Sequence, residues 1–194
     1  MASTPTEVEI KFRITDLNAI KRKLRDSGFR LKTKRTHEMN VLYDAADGSI
    51  RQRGEVLRIR KYGKTWTLTH KSKGQVGKHK TRQELETQVA DGEQLTQMFA
   101  ALGYWEAFRY EKFRTEWTDG RGDVVVDETP IGNFGEIEGK PEWIDRSARK
   151  LGISETDYIN KSYAQLFFEW KNATGANCEE MTFQSLRGSS SRST

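Results

Sequence analysis

Glu7-Val8-Glu9-Ile10-Lys11-Phe12-Arg13 alternates strictly between charged and apolar side chains, and this alternation decides the fold. Successive side chains of a strand point to opposite faces, so a period of two puts Glu7, Glu9 and Lys11 on one face and Val8, Ile10 and Phe12 on the other. The pattern recurs along the chain. Arg58 and Arg60 oppose Leu57 and Ile59; Arg82, Glu84 and Glu86 share a face; Lys112 and Arg114 flank Phe113; Asp127 opposes Val124 and Val126; Glu136 and Glu138 flank Ile137. A half-exposed sheet also turns one face to water, but such faces mix in Thr, Ser, Gln and Asn. Here paired charges at i and i+2 return in strand after strand. If the sheet curls into a barrel with helices packed outside, the charged face becomes the lumen.

The helices that would cover the apolar face are legible too. Asp16 caps a helix carrying Leu17, Ile20 and Leu24 on one stripe, stopped by Gly28. A second runs from Gly92 to Leu102, and two more are predicted over 141–151 and 155–171. Strand-like runs fall at 30–35, 38–43, 56–62, 64–71, 80–89, 106–118, 123–128 and 133–138, with a turn-rich stretch at 44–54 and a polar loop at 72–79. Many short strands with few helices give an α+β fold, an antiparallel sheet or closed barrel. Residues 173–194, small and polar toward their end, read as a mobile tail.

Composition narrows the function. The 194 residues suit one domain, and 10% aromatic residues argue against a disordered chain. The net charge of +5 points to an anionic partner, but 28 acidic residues accompany 33 basic ones, more than a nucleic-acid-binding face needs. A lumen holding both signs is balanced by a partner that is polyanionic and cationic at once, such as a metal–polyphosphate complex. Cys178 is the single cysteine, so no internal disulfide forms. Neither a signal pattern nor a membrane-spanning stretch stands out, and the expected location is the cytoplasm. P-loop, Rossmann, HExxH and paired-cysteine signatures are missing from the sequence.

The ordered set Glu7-Val-Glu9-Ile-Lys11, Leu57-Arg58-Ile59-Arg60, Leu68-Thr-His-Lys71-Ser-Lys73, Arg82-Gln-Glu84-Leu-Glu86, Glu111-Lys112-Phe-Arg114, Val126-Asp127 and Phe134-Gly-Glu136-Ile-Glu138 resembles the CYTH superfamily, the triphosphate tunnel metalloenzymes, over a domain spanning 5–172. The family includes class IV adenylate cyclases, thiamine triphosphatases and inorganic triphosphatases. The resemblance implies a closed eight-stranded antiparallel barrel, open at both ends, with helices outside. It implies that Glu7, Glu9, Glu136 and Glu138 hold Mg²⁺ or Mn²⁺, with Asp127 near the metals. Hard cations of this kind prefer carboxylate oxygen. By the same resemblance Lys11, Arg58, Arg60, Lys71, Lys73, Lys112 and Arg114 hold the phosphates, and Arg82, Glu84 and Glu86 take mid-barrel positions, the two acids in a supporting role. Lys161 matches a basic position on a C-terminal helix and is an expected catalytic residue alongside Glu7 and Glu9, either activating a water or holding a terminal phosphate oxygen. His37 resembles a histidine near this point in cyclase-type members; His70 falls on the apolar parity and has no assigned role.

These features imply hydrolysis of an inorganic or organic triphosphate: tripolyphosphate, ATP or thiamine triphosphate. The alternative is cyclisation of ATP to cyclic AMP and pyrophosphate. Lys161 leans toward hydrolysis, while the surroundings of Glu136 and of Tyr163 lean toward the cyclase branch. Neither nucleic acid nor membrane is an expected partner, and a homodimer is left open. A non-catalytic polyphosphate sensor is the rival from another class; clustered carboxylates speak against it, since a pure anion binder gains nothing from them.

Overall fold

The computed structural model describes residues 6–189. Nine strands form one sheet: β1 (Thr6–Ile14), β2 (Arg30–Ala45), β3 (Val56–Tyr62), β4 (Thr65–Lys71), β5 (Gln75–Val76), β6 (Lys80–Val89), β7 (Tyr104–Thr118), β8 (Asp123–Thr129) and β9 (Gly132–Glu138). Eight of them close an antiparallel barrel in the order β1-β9-β8-β7-β2-β3-β4-β6, with β6 returning to β1, and short β5 adds to β6. The runs at 30–35 and 38–43 are one strand, β2, whose irregular register against β7 between Leu31 and Thr36 breaks the period that sequence reading relied on. Six α-helices accompany them among the described residues: α1 (Leu17–Asp26), α2 (Ser49–Gln52), α3 (Gly92–Ala101), α4 (Pro141–Leu151), α5 (Tyr163–Thr174) and α6 (Phe183–Ser189).

The apolar parity faces outward and is covered as expected. Ile10, Phe12, Val124, Val126 and Ile137 are buried under Ile20 and Leu24 of α1 and Trp143, Ile144, Ala148 and Leu151 of α4. Full burial of such side chains contributes about 1.5–3 kcal/mol each. Asp16 starts α1 by accepting from the Asn18 and Ala19 amides, and Gly152, at φ 72°, ends α4. Phe12 lies so close over Gly135 that a Cβ there would meet the ring at 2.1 Å, which explains the glycine between Phe134 and Glu136. On the other flank, α3 lays Phe99 over Val41, Tyr43 and Ile59.

One end of the barrel is filled. Phe108, Tyr110 and Phe134 share the parity of the inward charges on β7 and β9, and Tyr163, Leu166 and Phe167 of α5 pack onto them. α5 thus lies as a floor against this end of the barrel. The expected helix over 155–171 is corrected. A 3₁₀ turn covers Glu155–Asp157, and α5 starts only at Tyr163, where Ser162 and Gln165 form a reciprocal cap.

Part of the segment over 173–194 packs against the barrel. Cys178, Met181 and Leu186 are buried behind the floor, and the Glu111 amide donates to the Met181 carbonyl while the Met181 amide donates to the Arg109 carbonyl. The Glu111 carboxylate accepts from the Phe183 amide at 2.6 Å. Three apolar residues spaced irregularly carry no helical period, so the sequence hid their docking. Residues 190–194 lie outside the described residues.

Candidate active site: a charged lumen

The deepest layer surrounds Asp127, which is fully buried on β8. It accepts four hydrogen bonds: from Lys112 at 2.8 Å, from Arg114 at 2.8 and 2.7 Å, and from the Tyr163 hydroxyl at 2.6 Å. Such pairing is the condition for burying charge at tolerable cost. Lys11 donates to Glu136 at 2.6 Å, and Arg114 bridges Glu136 to Asp127. Burial works against ionising Glu136, but Lys11, Arg114 and Lys112 outweigh it and hold the carboxyl well below the usual range. Glu38, on β2, is fully buried and lies 3.5 Å from Lys112 and 3.8 Å from Arg114; its acidity rises in the same way. The ammonium groups of Lys11 and Lys112 stand 4.6 and 4.5 Å from the Tyr163 ring centre, within cation–π range.

Higher in the lumen the pairs loosen. Arg60 donates to Glu86 at 2.8 Å and to Thr67 at 3.1 Å, and Arg58 donates to Thr69 at 3.2 Å. Lys71 sits 2.8 Å from both Glu7 and Glu84, and Lys80 donates to Glu9 at 2.9 Å. Burial pushes Glu9 up, yet Lys11, Lys80 and Lys71 bring it down to about 2. Glu138 differs. It makes no hydrogen bond or ion pair among the described residues, and the barrel wall together with Glu7 and Glu9 pushes its carboxyl up to about 7.

These side chains enclose a cavity of about 510 Å³ faced by eight cationic and eight acidic residues. The lumen thus neutralises itself. A polyanion entering alone would strand the carboxylates, whereas a polyanion entering with divalent cations satisfies both signs. The donor set fits a hard cation: Glu7, Glu9 and Glu138 offer carboxylate oxygens at one end of the lumen, and the repulsion of Glu138 by Glu7 and Glu9 marks a deficit of positive charge. As they stand, no three carboxylates among the described residues are gathered tightly enough to hold an ion, because Glu7 and Glu9 are turned to Lys71 and Lys80.

The description CYTH domain matches residues 5–163. The chain belongs to the CYTH family. It is 29% identical over 171 residues to a provisionally named adenylate cyclase of Methanocaldococcus jannaschii, covering 82% of this chain and 97% of that one. A provisionally named adenylate cyclase from Vibrio parahaemolyticus superposes with a TM-score of 0.75 at 19% identity, over 86% of this chain and 99% of that one. A Hippeastrum protein provisionally named an adenylyl cyclase, and described as having a dominant triphosphatase activity, superposes at 0.64 with 23% identity, over 84% and 95%. No helix of this CYTH chain, among the described residues, is long and apolar enough to cross a membrane.

Most residues singled out from sequence face the CYTH lumen: Glu7, Glu9, Lys11, Arg58, Arg60, Lys71, Arg82, Glu84, Glu86, Lys112, Arg114, Glu136 and Glu138. Asp127 lies in the wall directly behind them. Two expected residues are not brought there. Lys73 lies beyond the end of β4, exposed, with its stem against Gly54. Lys161 precedes α5 rather than lying on it; half exposed, it pairs with Glu169 at 2.6 Å. His37 sits outside on Glu111 at 2.7 Å, and His70 lies 3.7 Å from Glu55. Sequence reading missed Glu38, Lys80 and Tyr163. Lys80 shares the parity of Arg82 and Glu84, and Glu38 that of Asn40 and Leu42, so the signal existed for both. Tyr163 carried no sign of its placement beyond its cyclase-like surroundings, because only the packing of α5 turns it inward.

Proposed function

We propose that this CYTH protein is a Mg²⁺- or Mn²⁺-dependent triphosphatase acting on an inorganic or organic triphosphate. The observation that supports this most is the self-neutralised lumen, which takes up a polyanion only together with cations. Arg58, Arg60, Lys71 and Lys80 would release their carboxylate partners and, with Arg82, neutralise the phosphate oxygens, Arg through paired donors and Lys as a movable charge. Glu7, Glu9 and Glu138 would hold the metal, which supplies charge neutralisation at the phosphoryl oxygens and orients the attacking water. Glu136 and Asp127, already saturated by Lys11, Lys112 and Arg114, would fix the deep basic residues instead. Phosphoryl transfer through a loose transition state needs positioning and charge neutralisation more than a strong base, so the placement of Lys161 outside does not weaken hydrolysis.

The cyclase reading needs the same grip and a seat for the nucleoside that supplies the 3′-hydroxyl. The aromatic rings facing the cavity, Tyr110 and Tyr163, pack tilted against each other with centres 5.8 Å apart, which favours hydrolysis. The Hippeastrum protein indicates that the fold accommodates this activity. The test is product analysis with tripolyphosphate, ATP and thiamine triphosphate, with Mg²⁺ or Mn²⁺ and with excess chelator. Metal-dependent orthophosphate release is expected. Cyclic AMP and pyrophosphate as main products from ATP would overturn the proposal, and metal-dependent binding without turnover would make the protein a sensor.

A further inference from the structure

Glu38 stands on β2 opposite Tyr62 of β3 and Lys112 of β7, and it is fully buried. One carboxylate oxygen accepts from the Asn40 side-chain amide at 2.9 Å; the other accepts no hydrogen bond among the described residues. Lys112 at 3.5 Å and Arg114 at 3.8 Å are its charged neighbours, close enough for attraction but beyond good hydrogen-bond distance. Both donate to Asp127 instead, and Arg114 to Glu136 as well. Burial works against the charge of Glu38, but Lys112, Arg114, Arg60 and Arg58 outweigh it and hold the carboxyl well below its ordinary range. Leaving a buried carboxylate oxygen without a donor is costly, so what Glu38 supplies to the lumen is its charge.

Lys11, Lys112 and Arg114 bring three positive charges to the deepest layer, and Asp127 and Glu136 answer two of them. Arg58 and Arg60 have Glu84 and Glu86 as partners. Glu38 is the third carboxylate, and it brings the deepest layer to zero. It does so from behind the wall, because Lys11, Lys112, Arg114, Glu136 and Tyr163 are the side chains that face the cavity at this level. We propose that Glu38 is a positioning residue that acts through Lys112 and Arg114 to hold this layer neutral, so that the site refuses a bare polyanion and takes the same polyanion with its divalent cation. This rests on the triphosphate reading above. Without Glu38 the layer would carry one net positive charge in a poorly screened place, and Lys112 and Arg114 would hold a metal-free triphosphate directly. The metal complex carries less negative charge and gains less from that extra cation. Neutrality thus separates two forms of one ligand without a contact from Glu38 to either.

The experiment is calorimetric titration with tripolyphosphate, once in excess chelator and once with Mg²⁺, of the wild type, Glu38→Gln, Lys112→Met and the double variant carrying both changes. Glu38→Gln is expected to bind metal-free tripolyphosphate about tenfold more tightly than the wild type, a gap of about 1.4 kcal/mol, with a smaller gain for the Mg²⁺ complex. The double variant, neutral again, is expected to bind within about twofold of the wild type and about tenfold more tightly than Lys112→Met. A Glu38 that served only to hold the fold would weaken binding when replaced, so the sign of the change separates the two roles. Should Glu38→Gln alone not fold, the double variant against Lys112→Met carries the same comparison. Unchanged or weaker metal-free binding on replacing Glu38, with a wild type that binds the Mg²⁺ complex, would overturn this inference and leave the triphosphate reading standing. A wild type that binds tripolyphosphate neither with nor without Mg²⁺ would remove both.

Discussion

Lys80 donates to Glu9 across the β1–β6 seam at 2.9 Å, so a carboxylate proposed to hold metal is occupied by a cation of the protein itself. Lys71 does the same for Glu7. On the proposed reading, metal and triphosphate binding would be coupled: Lys71 and Lys80 would leave Glu7 and Glu9 to the metal and turn to phosphate. Lys80→Gln is expected to tighten Mn²⁺ binding without triphosphate about tenfold, or about 1.4 kcal/mol, and to weaken triphosphate binding at saturating metal by a similar factor. Calorimetric titration of each ligand alone and of both together measures this; unchanged Mn²⁺ affinity would refute the exchange.

Glu138 supplies the pH dependence. Its folded value of about 7 lies above its ordinary 4.5, so the native state binds the proton more tightly than the unfolded one. The stability this gives is fully present below about 4.5 and is lost as pH rises through 7. Glu138→Gln should therefore raise the Tm of the metal-free protein at pH 8 by about 2 °C, while reducing the further rise that Mn²⁺ produces in the wild type. A fall in metal-free Tm at pH 8 would show that the repulsion from Glu7 and Glu9 is not felt.

Asp127 and Tyr163 separate structural from chemical roles. Asp127→Asn leaves Lys112 and Arg114 short of a buried counter-charge and should destabilise the protein by about 3–5 kcal/mol. Tyr163→Phe removes one donor and keeps the ring, for a loss of about 1.5 kcal/mol. Urea denaturation of both variants gives the comparison, and equal losses would contradict the geometry around Asp127.

Met181→Ala tests the docked C-terminal segment. A fully buried methionine truncated to alanine should cost about 2–5 kcal/mol. A change within experimental error in urea denaturation would restore the reading of a mobile tail.

Lys161→Ala is expected to leave kcat for tripolyphosphate within about twofold, because its ammonium is half exposed and paired with Glu169, a surface contact worth about 0–1 kcal/mol. A loss of a hundredfold or more would place Lys161 back in the reaction.

The alternation beginning at Glu7 was enough to separate an apolar outer face from a charged inner one, because side-chain direction along a strand is local and has a period of two. That parity, with helix caps such as Asp16 and stops such as Gly28, made a sheet with one charged face, its covering helices and most lumen residues legible in the sequence, while closure into a barrel was implied by the family resemblance. Cross-strand neighbours depend instead on register. The placement of Glu38 beside Lys112 follows from the pairing of β2 with β7, and Lys80 reaches Glu9 only across the β1–β6 closure. The fate of Lys161 and Tyr163, two residues apart, was decided by how α5 packs on the barrel end: Tyr163 is held inward against Phe134 and Asp127, and Lys161 is left to solvent. The floor and the docked Met181 likewise arise from apolar side chains distant in sequence and without a shared period, which find one another only when the barrel closes.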